Sequence, residues 1–142
     1  MINMELTEKQ QEGLRLAVQR YQDGEKFTCI SGYAGTGKTT LVKFIINALN
    51  LDPELNVAYC TFTGKASEVL RNKGCPNACT AHKLLYYSKQ LANGKFVHRP
   101  RPNLENPFIK VVVVDEVSML PKDLWDLLLK HDVYVLACGD PF

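Results

Sequence analysis

A glycine-rich stretch at residues 32–39, GYAGTGKT, carries the clearest chemical signal in the sequence. It fits the pattern G-x-x-x-x-G-K-[ST], follows a predicted strand and opens a predicted helix. Its glycines let the backbone curl until several N–H groups point inward and can hold a polyphosphate. Lys38 would reach the β- and γ-phosphates, and the Thr39 hydroxyl would ligate Mg²⁺. The expected nucleotide contacts are Gly32, Ala34, Gly35, Thr36, Gly37, Lys38, Thr39 and Thr40.

Two adjacent acids, Asp115 and Glu116, follow an apolar run at residues 111–114. A magnesium ion that bridges phosphates needs a second anchor, and a carboxylate at the end of a buried strand supplies one. Asp115 would hold the metal, and Glu116 would orient and deprotonate an attacking water. A kinase must keep water away, so Glu116 favours an ATP hydrolase over a small-molecule kinase. The alternative, a solvated acidic turn, is disfavoured by the glycine-rich stretch upstream.

Composition sets broad limits on the class of protein. The chain has 142 residues, of which 46% are hydrophobic and 23% charged, as in a single globular domain. A formal net charge of +2 decides nothing about nucleic-acid binding. The amino terminus lacks the pattern of a secretory signal, and no apolar run is long enough to span a membrane. Five cysteines, an odd number, make a disulfide framework improbable. We therefore expect a cytoplasmic protein.

Alternating strand and helix patterns must position these groups. Apolar spacing predicts helices over 4–21, 39–49, 66–72, 80–90 and 121–130. Apolar runs rich in β-branched residues predict strands over 26–31, 56–62, 109–114 and 132–138. A stretch rich in proline and asparagine, 93–107, is predicted to be a long loop. This alternation indicates a parallel, doubly wound α/β sheet with right-handed crossovers.

In this order, the motifs resemble those of a superfamily 1 DNA helicase, and most closely the RecD-like and Dda-like branch that moves 5′ to 3′. The resemblance covers nearly the whole chain. It implies a three-layer P-loop NTPase fold of the RecA-like type, with a mainly parallel central sheet. It also implies an ATPase that acts on DNA, with ATP and Mg²⁺ as its ligands. Residues 1–142 would form one RecA-like ATP-binding domain, with residues 1–24 as an N-terminal helix and 93–107 as a loop insertion.

The segment LTEKQ, residues 6–10, is similar to the Q motif of this family. The resemblance implies that Gln10 contacts the adenine. A structural reading competes with it, because Thr7 and Gln10 also have the spacing of a helix capping box. The sequence favours the adenine contact only slightly.

Residues 61–66, TFTGKA, are similar to motif Ia, which in the family lies along single-stranded DNA. The resemblance makes Thr63, Gly64 and Lys65 candidate contacts to DNA phosphates. A hydroxyl, a bare amide and a cation at one helix start suit an anionic strand. Residues 80–85, TAHKLL, resemble a further segment that approaches DNA, in which His82 is the expected contact. A solvated helix start is the competing interpretation for Lys65.

Residues 115–120, DEVSML, are similar to motif II, and 139–142, GDPF, resemble the opening of motif III. We therefore expect a first motor domain truncated after the motif III strand, with the second domain absent. The arginine that would stabilise the transition state from across the cleft is then also absent. Such an arginine is worth about 10³–10⁵ in rate, so the chain alone should hydrolyse ATP very slowly. Directional movement would require the second domain.

The family's sheet order implies that the strand at 26–31 lies at an exposed edge of this chain. An unpaired edge can pair with another molecule, so a dimer through this edge is expected.

Two weaker signals remain open. Cys75, Cys79 and His82 have thiolate and imidazole groups that suit zinc, but a fourth ligand is missing and the cysteine spacing is unfavourable. Residues 95–103, KFVHRPRPN, interleave cations with Phe96 and could bind DNA or separate strands, although a solvated loop is the favoured interpretation. The main alternative to a helicase is a P-loop module that binds nucleotide and DNA or protein without unwinding.

Overall fold

A five-stranded parallel sheet forms the centre of the structure, a computed structural model that describes residues 6–30, 37–75 and 77–139. For residues 37–39 only the backbone is described. The strands are β1 (Phe27–Ile30), β2 (Val57–Thr61), β3 (Cys79–Thr80), β6 (Val111–Val114) and β7 (Tyr134–Cys138). Their order is β1-β7-β6-β2-β3. The predicted parallel α/β fold is confirmed, and within the described part of the chain β1 pairs only with β7.

Helices cover both faces of this sheet. They are α1 (Glu8–Gln22), α2 (Gly37–Ala48), α3 (Gly64–Asn72), α4 (Ala81–Leu85) and α5 (Lys122–Leu129). One core cluster joins the sheet to α1, α2 and α3, and the other joins it to α4 and α5. Alternate residues of β6 pack into the two clusters. Val111 and Val113 belong to the first cluster, and Val112 and Val114 belong to the second. This burial on both faces explains why β6 has no polar residue.

Buried hydrogen bonds fix helix α1 to the sheet. The Tyr134 hydroxyl donates to the Ala17 carbonyl oxygen at 2.9 Å. With its hydrogen used there, its oxygen accepts from the Thr28 hydroxyl. Arg20 Nε donates to the Thr28 hydroxyl oxygen at 3.0 Å, and Arg20 also donates to the Phe27 carbonyl oxygen. This chain of donors joins α1, β1 and β7 through their side chains.

The structure corrects the predictions for residues 80–107. The helix predicted over 80–90 ends at Leu85, and Tyr86–Gln90 form a strand, β4. Inside the predicted loop, Phe96–Pro100 form a second strand, β5, which pairs antiparallel with β4. Gly94 turns the chain at φ +84, and its amide donates to the Leu91 carbonyl oxygen at 2.9 Å. A hairpin therefore replaces a predicted half-helix and part of a predicted loop.

The other predicted elements are present with ends shifted by a few residues. Thr7 caps α1, as predicted, and Gly24 at φ +78 follows the end of this helix. Pro121 is the N-cap of α5 rather than a residue of its first turn. Within the described ranges, none of the helices has the length and apolarity that a membrane span requires.

Candidate nucleotide and DNA site

The carboxyl ends of all five parallel strands lie along one edge of the sheet, and the predicted site residues follow these ends. Strand β1 leads through residues 31–36 to α2, which begins at Gly37. Strand β6 leads to Asp115 and Glu116, and β7 leads to Gly139. The Gly139 amide donates to the Ile30 carbonyl oxygen at 3.0 Å, which joins the ends of β1 and β7. In open α/β sheets this edge is where ligands bind.

Half of the eight predicted nucleotide contacts in residues 32–40 lie outside what the structure describes. Gly32, Ala34, Gly35 and Thr36 fall in the undescribed residues 31–36, and Gly37, Lys38 and Thr39 are described by their backbone in α2 only. Thr40 is half-buried in the first turn of α2. The strand before the loop and the helix after it are both present, as the motif requires. The contacts themselves stay predictions.

The two acids have different backbone environments. The Asp115 amide donates to the Cys60 carbonyl oxygen at 3.0 Å, which extends the ladder between β6 and β2. Glu116 lies beyond the end of β6 and has a left-handed backbone conformation, with φ 49 and ψ 60. A short 3-10 turn follows at Val117–Met119. Asp115 is half-buried and Glu116 is exposed. The sheet therefore fixes the backbone of Asp115, while Glu116 is exposed beyond the carboxyl end of β6.

A small pocket of about 20 Å³ lies beside Asp115, between the sheet and helices α2 and α3. Its lining includes the buried Cys75 thiol. Burial raises the pKa of Cys75, the nearby Lys43 ammonium opposes this, and the Asp115 carboxylate adds to it. Cys75 is therefore a neutral thiol at ordinary pH. No group of three or more His, Cys, Asp or Glu side chains within the described ranges could hold a metal ion.

Gln10 takes part in the capping box that competes with its predicted role. Its side-chain Oε1 accepts from the Thr7 amide at 2.9 Å, and the Thr7 hydroxyl oxygen accepts from the Gln10 amide at 3.2 Å. The structural interpretation of this motif is therefore correct. The Gln10 side-chain amide nitrogen is a separate donor, so the cap leaves the adenine contact open as a prediction.

The three residues predicted from motif Ia lie together at the start of α3, directly after β2. Thr63 is the N-cap, and its hydroxyl oxygen accepts from the Ala66 amide at 3.2 Å. Thr63, Gly64 and Lys65 are all exposed. The Thr61 hydroxyl donates to the Thr63 carbonyl oxygen at 2.8 Å and ties the cap to the strand end. The exposed start of α3 and the exposed Lys65 ammonium are suited to binding a phosphate.

His82 lies on α4 between two aromatic rings. Its ring centroid is 6.0 Å from that of Phe62 and 5.8 Å from that of Tyr86. His82 is exposed and both neighbours are half-buried, so the three rings form a partly exposed group after β2 and β3. The sequence interpretation missed Phe62 and Tyr86 as site residues. The four-residue spacing of His82 and Tyr86, and the position of Phe62 beside Thr63, are signals that could have identified them.

Comparison with known proteins places the chain in a family. A profile of the family described as AAA domain matches residues 15–141. The ATP-dependent DNA helicase dda of Enterobacteria phage T4 is 32% identical over 127 residues, covering 88% of this chain. The ATP-dependent DNA helicase PIF3 of Trypanosoma brucei brucei is 30% identical over 149 residues, covering 96% of this chain.

A third relative, the ATP-dependent DNA helicase PIF1 of Trypanosoma brucei brucei, is 28% identical over 155 residues and covers 98% of this chain. The chain spans 28%, 17% and 14% of the lengths of these three relatives, in the order given. The matches agree with the order of motifs found in the sequence and with the parallel sheet. The chain therefore belongs to the AAA domain family, and its relatives confirm the expected place in the Dda-like branch of superfamily 1.

Proposed function

We propose that the chain is the first motor domain of an ATP-dependent DNA helicase. In this role it binds ATP and single-stranded DNA, and it couples ATP hydrolysis to movement along the strand when it works with a second RecA-like domain. The observation that carries the proposal is the arrangement of the sheet edge. The acids follow β6, the motif Ia residues follow the neighbouring β2, and the glycine-rich stretch follows β1 on the other side of β7.

This adjacency supports coupling between the two ligands. The hydrogen bond from the Asp115 amide to Cys60 joins the acids to the strand that ends beside Thr63. A shift of the acids when nucleotide binds would therefore move the start of α3 directly. Allosteric coupling of two sites needs an element that both ligands bias, and the β2–β6 pair is suited to that role.

A magnesium ion fits the donors at this site. The Asp115 carboxylate and the Thr39 hydroxyl are hard oxygen donors, which Mg²⁺ prefers to thiol or imidazole ligands. The backbone of Asp115 is held by its hydrogen bond to Cys60 at the end of β6, and the residue is half-buried. When bound, the ion would neutralise charge on the phosphates.

Each site residue has a separate task in hydrolysis. Lys38 binds the β- and γ-phosphates, and the amides of the glycine-rich stretch hold the remaining phosphate oxygens. Glu116 orients the attacking water and accepts its proton. Gln10 contacts the adenine. We assign the adenine contact to the amide nitrogen of Gln10, because its oxygen is used in the cap.

DNA binding is assigned to the exposed groups after β2 and β3. Lys65 and the amide of Gly64 contact phosphates, while His82, flanked by Phe62 and Tyr86, contacts a base. The hairpin β4–β5 begins at Tyr86 and extends this surface. Phe96, the first residue of β5, lies next to the hairpin turn and is 64% exposed, and Lys95 precedes it in the sequence. An exposed ring beside a hairpin turn is suited to stacking on a base where strands separate.

The proposal includes a second motor domain and a cytoplasmic location. The second domain would close on ATP and supply the arginine that stabilises the transition state from across the cleft. All five cysteines are free thiols, as expected in a reducing compartment, and we propose a cytoplasmic site of action.

We also propose that the chain by itself can dimerise through β1. One side of β1 has no strand partner within the described residues, and Cys29 in this strand is exposed. An apolar groove of about 380 Å³, lined in part by Phe27 and Trp125, lies next to this edge. Such an edge pairs readily with another strand. Sedimentation at several concentrations tests the dimer, and a monomer throughout would contradict it.

The linkage between ATP and DNA tests the main proposal. Single-stranded DNA binding is measured by fluorescence anisotropy, with and without a non-hydrolysable ATP analogue, at several salt concentrations. We expect the analogue to change DNA affinity severalfold, and affinity to fall as salt rises because counterions are released. Absence of DNA binding would overturn the proposal. Binding without any strand separation by the protein joined to its second domain would favour the binding module.

A further inference from the structure

We propose that Gly139 is the positioning residue for Glu116: its missing side chain lets the backbone of Glu116 hold the left-handed conformation from which the carboxylate meets the attacking water. This inference rests on the proposed function. It concerns a contact between the end of β7 and the turn after β6. Neither residue's role in that contact follows from the motif patterns.

The contact is close and involves only backbone atoms. A Cβ placed on Gly139 would lie 3.4 Å from Glu116 Cα, 3.6 Å from the Val117 amide nitrogen and 3.8 Å from the Glu116 carbonyl carbon. A distance of 3.4 Å is at the tight limit of ordinary contacts, and backbone atoms cannot rotate away as a flexible side chain can. The Cβ of any side chain at position 139 would therefore be in van der Waals contact with the Glu116 backbone.

Both residues of this contact have positive φ angles. Gly139 has φ +105, a conformation that residues with a Cβ rarely adopt. Glu116 has φ 49, and its amide group lies at the start of the Val117–Met119 turn, where the Met119 amide donates to the Glu116 carbonyl oxygen at 2.9 Å. A non-glycine residue in this region persists only where its surroundings hold it. Here the surroundings are the 3-10 turn on one side and Gly139 on the other.

Gly139 is also joined to the end of β1. Its amide donates to the carbonyl oxygen of Ile30, which is the last residue of β1 and precedes the glycine-rich stretch. The end of β1 and the backbone of Glu116 are therefore both in contact with one residue that has no side chain. Hydrolysis requires the Glu116 carboxylate to be correctly placed relative to the bound phosphates, since a misplacement of about 1 Å can lower the rate about 100-fold.

The test compares Gly139→Ala with Gly24→Ala. Gly24 also has a positive φ, +78, so alanine is strained there too, but a Cβ at Gly24 would meet nothing within 4 Å. Single-turnover hydrolysis of radiolabelled ATP, with protein in excess, gives a rate constant and a half-saturating concentration even when turnover is slow. We expect Gly139→Ala to lower the rate constant by about 10- to 100-fold and to change half-saturation less than about twofold. Gly24→Ala should change both less than about twofold.

A double-substitution cycle shows whether Gly139 acts through Glu116. In a Glu116→Gln background, Gly139→Ala should lower the residual rate less than about twofold, because the group that it positions is already lost. An undiminished further loss in that background would overturn the proposal, as would a Gly139→Ala rate equal to that of Gly24→Ala. Loss of nucleotide binding in Gly139→Ala would also overturn it. A wild-type chain without Glu116-dependent hydrolysis would remove the proposed function and this inference together.

Discussion

The Asp115 amide donates a hydrogen bond of 3.0 Å to the Cys60 carbonyl oxygen, one residue beyond the last register pair of β6 and β2. This bond holds the first acid in the sheet and leaves Glu116 as the first residue of the turn. It also joins the strand that leads to the two acids to the strand that leads to Thr63 and Lys65. The proposed metal and water residues and the proposed motif Ia contacts to DNA therefore follow neighbouring strands, whereas the glycine-rich stretch follows β1.

Replacing Lys65 with alanine should weaken single-stranded DNA binding at every sequence tested. Because one phosphate contact is lost, the slope of log affinity against log salt should become shallower by about one. Binding titrations at several salt concentrations measure this slope. Lys26→Ala is the matched control, since Lys26 is an exposed lysine before β1, at the opposite edge of the sheet. Equal slopes for the two variants would exclude Lys65 from the DNA contacts.

The capping box makes separate predictions for Thr7 and Gln10. Thr7→Ala should lower the free energy of unfolding by about 0.5–2 kcal/mol, because the Gln10 amide loses its acceptor. Gln10→Ala should also destabilise α1, and it should in addition reduce the preference for ATP over GTP. Urea unfolding and nucleotide titration measure the two effects. If Thr7→Ala and Gln10→Ala alter nucleotide preference equally, Gln10 contacts no adenine.

Part of this architecture could be predicted from sequence because its signals are local. An unbroken run of valines, Val111–Val114, predicts a strand buried on both faces, and the structure has it between β2 and β7. The cap at Thr7 is equally local. The hairpin was missed because residues 86–90 have helix-compatible spacing, and only pairing with Phe96–Pro100 makes them a strand. Asn93 and Gly94, a frequent turn pair, were the available signal.

The backbone of Glu116 could not be predicted in this way. A glutamate rarely adopts a positive φ, and here the Glu116 backbone packs against Gly139, which follows a strand distant in sequence. The aromatic group around His82 has the same origin, since Phe62 and His82 come together only when β2 and β3 pair. The Glu116 backbone conformation and the aromatic group around His82 therefore involve contacts between residues distant in sequence, which local sequence patterns do not predict.

Removing the Tyr134 hydroxyl should destabilise the fold. Tyr134→Phe leaves the Ala17 carbonyl and the Thr28 hydroxyl without their buried partner, at a cost of about 1–3 kcal/mol in the free energy of unfolding. Urea denaturation of the variant and the wild type gives this difference. Tyr87→Phe, at an exposed position of the hairpin, should change stability by less than about 0.5 kcal/mol. Equal stabilities of the two variants would show that the network does not hold α1.

Stability should fall in alkaline solution through Tyr59. Burial raises the pKa of Tyr59 to about 12, and the nearby Cys75 and Cys138 add to the effect. The unfolded chain loses this proton from about pH 10, whereas the folded chain keeps it until about pH 12, so the unfolded state binds fewer protons between these values. The free energy of unfolding therefore decreases as pH rises through this window. Tyr59→Phe should show a shallower decrease than the wild type, and identical profiles for the two proteins would contradict this assignment.

The most direct test of the proposed function is ATP hydrolysis with and without single-stranded DNA, in the wild type and in Glu116→Gln. We predict that DNA accelerates wild-type hydrolysis and that the variant keeps nucleotide binding but loses turnover, because only the proton acceptor is removed. Hydrolysis by Glu116→Gln at the wild-type rate would contradict the assigned role of the acid pair and the hydrolytic function that depends on it.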